Sequence, residues 1–242
     1  MAYLLLIESS SETASVCLTQ NGQILAIRFS EQKNDSSSKL VPYIKDMLNV
    51  SGISEGKPDA VAVSIGPGSY TGLRVGLSTA KGLCYSWNIP LLTINTLDMM
   101  VNAMVHEFQG GVLSPEASLH LSTEQHMKDL ILCPMIDARR MEVYTAAFDV
   151  DAHQLVPHSA TVLNPDFGSA WKNRPVCLFG SGAAKAAQLL NSNPNIWEEP
   201  YKPSAAHLLD QAEKMFQDGN FADLAYSEPF YLKPFFAPNQ RV

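Results

Sequence analysis

Basic charge is scarce in this 242-residue sequence, and none of the short motifs that usually announce a metal or a nucleophile is present. Seventeen Lys and Arg stand against 24 Asp and Glu, a formal charge of −7. Nonspecific nucleic-acid affinity comes mainly from cations that neutralise phosphates, so this charge argues against tight unaided RNA binding, and any such role is expected to depend on a partner. There are only four cysteines, Cys17, Cys84, Cys133 and Cys177. They are far apart, form no CxxC pair and sit among apolar neighbours, which reads as buried free thiols rather than disulfides or zinc ligands. The histidines, His106, His120, His126, His153, His158 and His207, are scattered, with no i, i+4 pair and no HExxH, so no metal site is expected. The chain lacks the GxxxxGK order of a Walker loop and the GxSxG order of a hydrolase elbow. Long hydrophobic runs are missing too. The apolar stretch from Tyr3 to Ile7 has no basic flank and ends at Glu8, so it reads as a first strand rather than a signal peptide or membrane span. A cytoplasmic, membrane-free location is the expectation.

What is present is a strand-to-helix junction rich in glycine: Gly66-Pro67-Gly68-Ser69-Tyr70-Thr71-Gly72-Leu73-Arg74-Val75-Gly76. Val61, Val63 and Ile65 end an apolar strand, and helix-compatible sequence runs from about Thr71 to Trp87. Amides at such a junction can converge on an anion, and the helix N-terminus adds partial positive charge, so phosphate is the natural ligand. The alternative is a tight turn that binds nothing.

Around this junction the pattern gives strands at 3–9, 13–20 and 23–29, with an Asn21-Gly22 type I′ turn between the last two. A helix over about 37–50 follows, with Ser36 to Ser38 as N-caps, Pro42 near its first turn and Gly52 at its end. Next come a strand at 60–65, the glycine junction with its helix, a strand at Leu91–Ile94 and a helix from Thr96 to Glu107. This order is that of one ribonuclease-H-like half of the actin and Hsp70 (ASKHA) superfamily. A second half starts at Leu130–Ile136, ends in Asp137 as the first strand ends at Glu8, continues at Met141–Phe148, and leads from Val176–Phe179 through Gly180-Ser181-Gly182 into a helix. The expected fold is α/β, with duplicated lobes of mixed sheets flanked by helices. The expected boundaries are a first lobe over 1–108, a connector or surface loop over 109–128, and a smaller second lobe over 129–242, whose final segment returns to the first. An amphipathic helix at about Ser204–Phe216 precedes a Pro-rich tail.

The glycine junction resembles the GPGSFTGLRIG pattern of the bacterial TsaB (YeaZ) proteins, with Tyr70 and Val75 as mild replacements. The opening strands, Leu5 to Ser10 and Ala14 to Val16, and the block Ile136-Asp137-Ala138-Arg139-Arg140-Met141-Glu142-Val143-Tyr144 resemble the same family, and beyond them Tyr231-Leu232-Lys233 is a weak echo. The resemblance implies a dimerisation subunit that pairs with TsaD, which carries the chemistry of tRNA threonylcarbamoyladenosine formation beside the anticodon. It also implies docking of the ATPase TsaE, tRNA contact only through the complex, and no intrinsic cofactor. ATP or ADP would sit at the junction of the complex, near Gly66 to Gly72 and Arg74, and a homodimer could form when the chain is alone.

Three departures from the family pattern stand out. Glu8 replaces the more usual Asp, Asp35-Ser36-Ser37 replaces a His-Ser pair, and Thr96 and Met100 fall where TsaD carries its two metal-binding His. Neither of the last two is a credible hard-metal ligand. Glu8 and Asp137 are the candidate acidic positions, with solvated or capping carboxylates as the plain alternative. Gly72, Gly76 and Ala80 form a small ridge, and Leu40, Ile44, Met47, Leu73, Gly76, Leu77, Ala80 and Leu83 are the expected partner surface, the alternative being burial within the chain. A sugar or acyl kinase of the same superfamily is the competing function; a glycoprotease is disfavoured by the missing motifs.

Overall fold

The computed structural model describes residues 2–30, 36–51, 53, 56–111, 114–121, 123–171, 173–190 and 193–233. Asp35 and Gly52 lie outside them, as do the side chains of Ser36 to Ser38.

Ten strands form two five-stranded sheets. The first holds β1 (Tyr3–Glu8), β2 (Ser15–Gln20), β3 (Gln23–Phe29), β4 (Ala60–Gly66) and β5 (Leu91–Asn95) in the order β3-β2-β1-β4-β5. β1 runs antiparallel to β2 and parallel to β4, and β4 runs parallel to β5. The second sheet repeats this plan with β6 (Ile131–Asp137), β7 (Glu142–Phe148), β8 (Gln154–Val162), β9 (Val176–Phe179) and β10 (Ile196–Glu199), ordered β10-β9-β6-β7-β8. The internal duplication is therefore present strand for strand. Asn21 and Gly22 both take positive φ, 49° and 75°, as a type I′ turn requires.

Helix α1 (Ser36–Ser51) carries Pro42 well inside its span, not in the first turn. Proline there removes one helical hydrogen bond, and Pro42 faces solvent. α2 (Tyr70–Trp87) is capped by Ser69, whose Oγ accepts from the Gly72 N–H, and ends on Asn88 in the left-handed region. α3 (Thr96–Gln109) starts from an Asn95 cap. Leu97, Met99, Met100, Val101 and Met104 are all buried, in one core with Leu4, Leu6, Leu132 and Phe179 from both sheets. α3 is thus apolar on most sides because it is packed between the lobes.

The segment expected as a connector loop is largely helical. α4 (Pro115–His120) is capped by Ser114 and α5 (Glu124–Asp129) by Thr123. Ser114 also donates to Glu199 Oε1 at 2.6 Å, and His120 stacks on Trp197 with ring centroids 4.5 Å apart, so this segment covers the β10 edge. α6 (Ala183–Leu189) follows the second glycine junction. α7 (Leu209–Gln217), preceded by a 3-10 turn at Ala205–Leu208, packs on β1 and β5 of the first sheet. All four cysteines are free and buried, as expected. Burial pushes the Cys17 thiol up to about 12 and Cys84 to about 11, far from the thiolate.

Candidate functional site

The glycine junction lies against the turn that follows β1. A Cβ on Gly72 would stand 2.0 Å from the Ser9 carbonyl oxygen, one on Gly68 2.4 Å from that of Ser10, and one on Gly76 2.1 Å from Ser9 Oγ. No side chain fits at those distances. Gly66 and Gly68 also need positive φ, 117° and 157°. These glycines admit backbone, and the neighbouring serines are small for the same reason. Ser9 Oγ donates to the Gly72 carbonyl at 2.9 Å, locking the contact.

The amides expected to converge on phosphate are largely engaged. The Gly66 N–H donates to Thr96 Oγ1 at 3.1 Å, Ser69 N–H to the Ser10 carbonyl at 2.6 Å, Gly72 N–H to Ser69 Oγ at 3.2 Å and Leu73 N–H to the Ser69 carbonyl at 2.8 Å. Pro67 has no N–H to offer. From above, the Phe230 N–H donates to the Ile65 carbonyl at 2.8 Å, and Arg74 Nε donates to Tyr231 Oη at 3.0 Å. The Arg74 guanidinium lies 4.0 Å from the Tyr70 ring centroid, and Thr71 is exposed beside it. What remains under this cover is a space of about 20 Å³ beside Pro67, Gly68 and Tyr144.

The expected partner surface needs correction. Leu40, Ile44, Met47, Leu73, Gly76, Leu77 and Ala80 are buried within the chain, and only Leu83 is partly exposed. The reason is the Ser9 contact: close approach of α2 to its own sheet turns the Gly72, Gly76, Ala80 ridge inward. Glycine outside the ridge behaves differently, since a Cβ on exposed Gly82 would meet nothing within 4 Å.

The two candidate acids sit in opposite environments. Glu8 is fully buried. Its Oε1 accepts from the Ser10 N–H at 2.7 Å and from the Ser10 hydroxyl, whereas Oε2 has no hydrogen-bond partner among the described residues. Burial raises its pKa, against the Ser10 donors and the nearby Ser64 hydroxyl, which lower it. Asp137 is half exposed. Its modest burial pushes the carboxyl up, but Lys185 at 2.8 Å and the Arg139 N–H at 2.6 Å more than offset this and hold it below the usual range. Lys185 also reaches the carbonyls of Arg140 and Glu142, and Arg139 and Arg140 take φ of 70° and 51°. The Ile136 to Tyr144 block thus builds a tight turn closed by one ammonium.

Thr96 and Met100 are both fully buried. Thr96 holds Gly66, and Met100 Cε lies 2.5 Å from where a Gly180 Cβ would be, filling the space beneath the second glycine junction. Among the described residues, the one group with metal-ligand proximity is Asp149, Asp151 and His153 on the β7–β8 turn, remote in sequence from all of these.

Two lobes of this topology, each with a glycine junction against its first hairpin, define an actin- and Hsp70-type α/β protein. The family model described as "TsaD: tRNA N6-adenosine threonylcarbamoyltransferase" matches residues 23–163, more than half of the chain, and the chain belongs to that family, in its TsaB (YeaZ) group. It is 26% identical to the tRNA threonylcarbamoyladenosine biosynthesis protein TsaB of Escherichia coli, covering 95% of this chain and 94% of that one. The Bacillus subtilis TsaB is also 26% identical, over 77% and 74% of the two chains. A tRNA N6-adenosine threonylcarbamoyltransferase of Sphingopyxis alaskensis is 31% identical, but over 40% of this chain and 33% of its own. In fold, the YeaZ structure from Pseudomonas aeruginosa superposes with a TM-score of 0.72 at 22% identity, covering 96% of this chain and all of that one.

Two outcomes follow. Gly72→Ala should destabilise the chain by about 3 kcal/mol because backbone must move, whereas Gly82→Ala should be neutral or stabilise by up to ~1 kcal/mol; urea unfolding that gives the two variants equal midpoints contradicts the packing role. For Glu8, a raised folded-state pKa means its contribution is complete below the ordinary carboxylate range and is lost as pH rises through the raised value. Glu8→Gln should therefore gain ~1–3 kcal/mol over the parent at pH 8 and little at pH 4. Thermal melts in which parent and variant run parallel over that range would exclude a buried, reluctantly ionised Glu8.

Proposed function

We propose that this chain is the non-catalytic, TsaB-type subunit that pairs with a TsaD paralogue in tRNA threonylcarbamoyladenosine formation, the TsaD partner carrying the chemistry. The observation that carries the reading is the state of Thr96 and Met100. At the two positions where the resemblance puts metal-binding histidines, one side chain is spent on the Gly66 amide and the other on packing against Gly180. End-to-end similarity to the E. coli protein supports the same subunit role.

The junction Gly66 to Gly72 is then a structural joint of the isolated chain, and ATP or ADP binds at the junction of the complex. tRNA reaches the chain through that complex, in keeping with the charge of −7. The chain acts in the cytoplasm, and TsaE docks on the assembled pair. Among the described residues no helix is long and apolar enough to cross a membrane.

Because the Gly76 ridge faces inward, the contact with the partner falls on the outer faces of α1 and α2, where Val41, Gly82 and Tyr85 are exposed. A kinase would need phosphate loops open in both lobes, and neither glycine junction offers one.

Reconstitution with the same organism's TsaD, its donor substrate and unmodified tRNA tests the assignment: modification should require both chains. Gly82→Leu should weaken pairing by roughly five- to a hundredfold through overpacking of a close helix contact, with the isolated chain's melting temperature unchanged. Full modification by TsaD alone, or by this chain alone, contradicts the proposal; normal pairing of Gly82→Leu moves the contact elsewhere.

A further inference from the structure

The last described segment, residues 222–233, does more than trail from α7. It enters as a single bridge on β5, where the Ala222 N–H donates to the Leu91 carbonyl at 2.8 Å. It turns at Asp223, and Lys81 of α2 holds the turn through the carbonyls of Ala225 and Ser227 at 3.0 and 3.1 Å. It then lies over the glycine junction. Phe230 bonds Ile65, its carbonyl would stand 2.7 Å from a Gly66 Cβ, and its ring meets His158 of β8 edge-on. Tyr231 stacks near Tyr70, with centroids 5.4 Å apart, and accepts from Arg74. Lys233 closes the path on Glu142 of the second lobe at 2.5 Å.

We propose that residues 222–233 are a releasable latch that covers the glycine junction and ties the first lobe to the second through Lys233 and Glu142. The inference is independent of any partner.

Releasability follows from how the segment is held. It covers buried strand ends, yet none of its own residues is buried, and Phe230, Tyr231 and the Lys233 side chain keep 37%, 41% and 46% of their exposure. Stabilisation by burial scales with area removed from water, so this segment gains little from each contact. Its terminal clip is an ion pair open to solvent, which salt screens. Beneath it there is room for about one water, so closure over the junction is snug although the fastening is weak. Release would uncover the Ile65 carbonyl and free the Tyr70 ring and the exposed Arg74 guanidinium from Tyr231, while β4 and α2 stay packed on Ser9 and Ser10.

Hydrogen exchange read by mass spectrometry on the full chain tests the latch. In the Tyr231→Ala/Lys233→Ala variant, the Phe230 amide and peptides spanning residues 222–233 should exchange about fivefold or more faster, with β1, β4 and the Ser69 and Gly72 amides unchanged. Raising NaCl from about 0.05 to about 0.5 M on the unmodified chain should act in the same direction, more weakly. Zero-length carbodiimide coupling of Lys233 to Glu142 should do the opposite and slow these amides below their parent rate. Unchanged exchange in the folded variant overturns the proposal. If the variant unfolds, the coupled chain decides: no slowing after coupling also overturns it.

Discussion

The approach of α2 to the turn after β1 is the contact on which the rest of this structure depends. Gly72 and Gly68 admit the carbonyls of Ser9 and Ser10 at distances no side chain would allow, and Ser9 returns a hydrogen bond to the helix. That contact sets the depth at which α2 sits on the sheet. Depth in turn decides which helix face is buried, fixes Gly66 against Thr96, and leaves Glu8 enclosed beside Ser10 and Ser64. The second lobe repeats the device: a Cβ on Gly180 would stand 2.5 Å from the Met135 carbonyl oxygen and one on Gly182 2.8 Å from Val143 Cγ1, and Ser181 Oγ accepts from the Asp137 N–H. Duplication has kept the joint in both lobes while the acids beside it diverged, one buried and unwilling to ionise, the other exposed and paired with Lys185.

Glycine at a strand-to-helix turn is ambiguous in sequence because two causes need the same residue. A ligand phosphate and a neighbouring backbone both require the absence of Cβ. The partner that decides between them, Ser9-Ser10, lies about sixty positions earlier and carries no motif of its own. The same ambiguity reversed the helix face: a Gly72, Gly76, Ala80 ridge permits close approach without saying to what. Gly82, with open space around it, differs from Gly76 only in register.

Most of the strands were legible, since β1, β4, β6 and β9 are predominantly apolar and buried over most of their length. β8, at the edge of the second sheet, was not, because Pro157 and His158 interrupt its pattern. β10 is four residues long and ends in two glutamates, one of them accepting from Trp197 in the same strand and from Ser114 across the fold. The helices over 115–120 and 124–129 did leave local signals, Ser114-Pro115-Glu116 and Thr123-Glu124, which are cap and first-turn chemistry on segments too short for periodicity. The cover formed by Phe230 and Tyr231 had no such signal beyond the echo at Tyr231-Leu232-Lys233, because its contacts are with residues far back in the chain.

The central claim is that the glycine junction of the isolated chain is a packing joint, with the Gly66, Ser69, Gly72 and Leu73 amides already bonded within the chain. Backbone amide chemical shifts of the isolated chain, followed while ATP, ADP or inorganic phosphate is added, test this most directly. The account predicts no saturable shift confined to Gly66 through Leu73. A saturable shift there, with the Ser69 and Gly72 amides moving together, would mean that the junction gives up its contacts with Ser10 and Ser69 to hold an anion, and would contradict it.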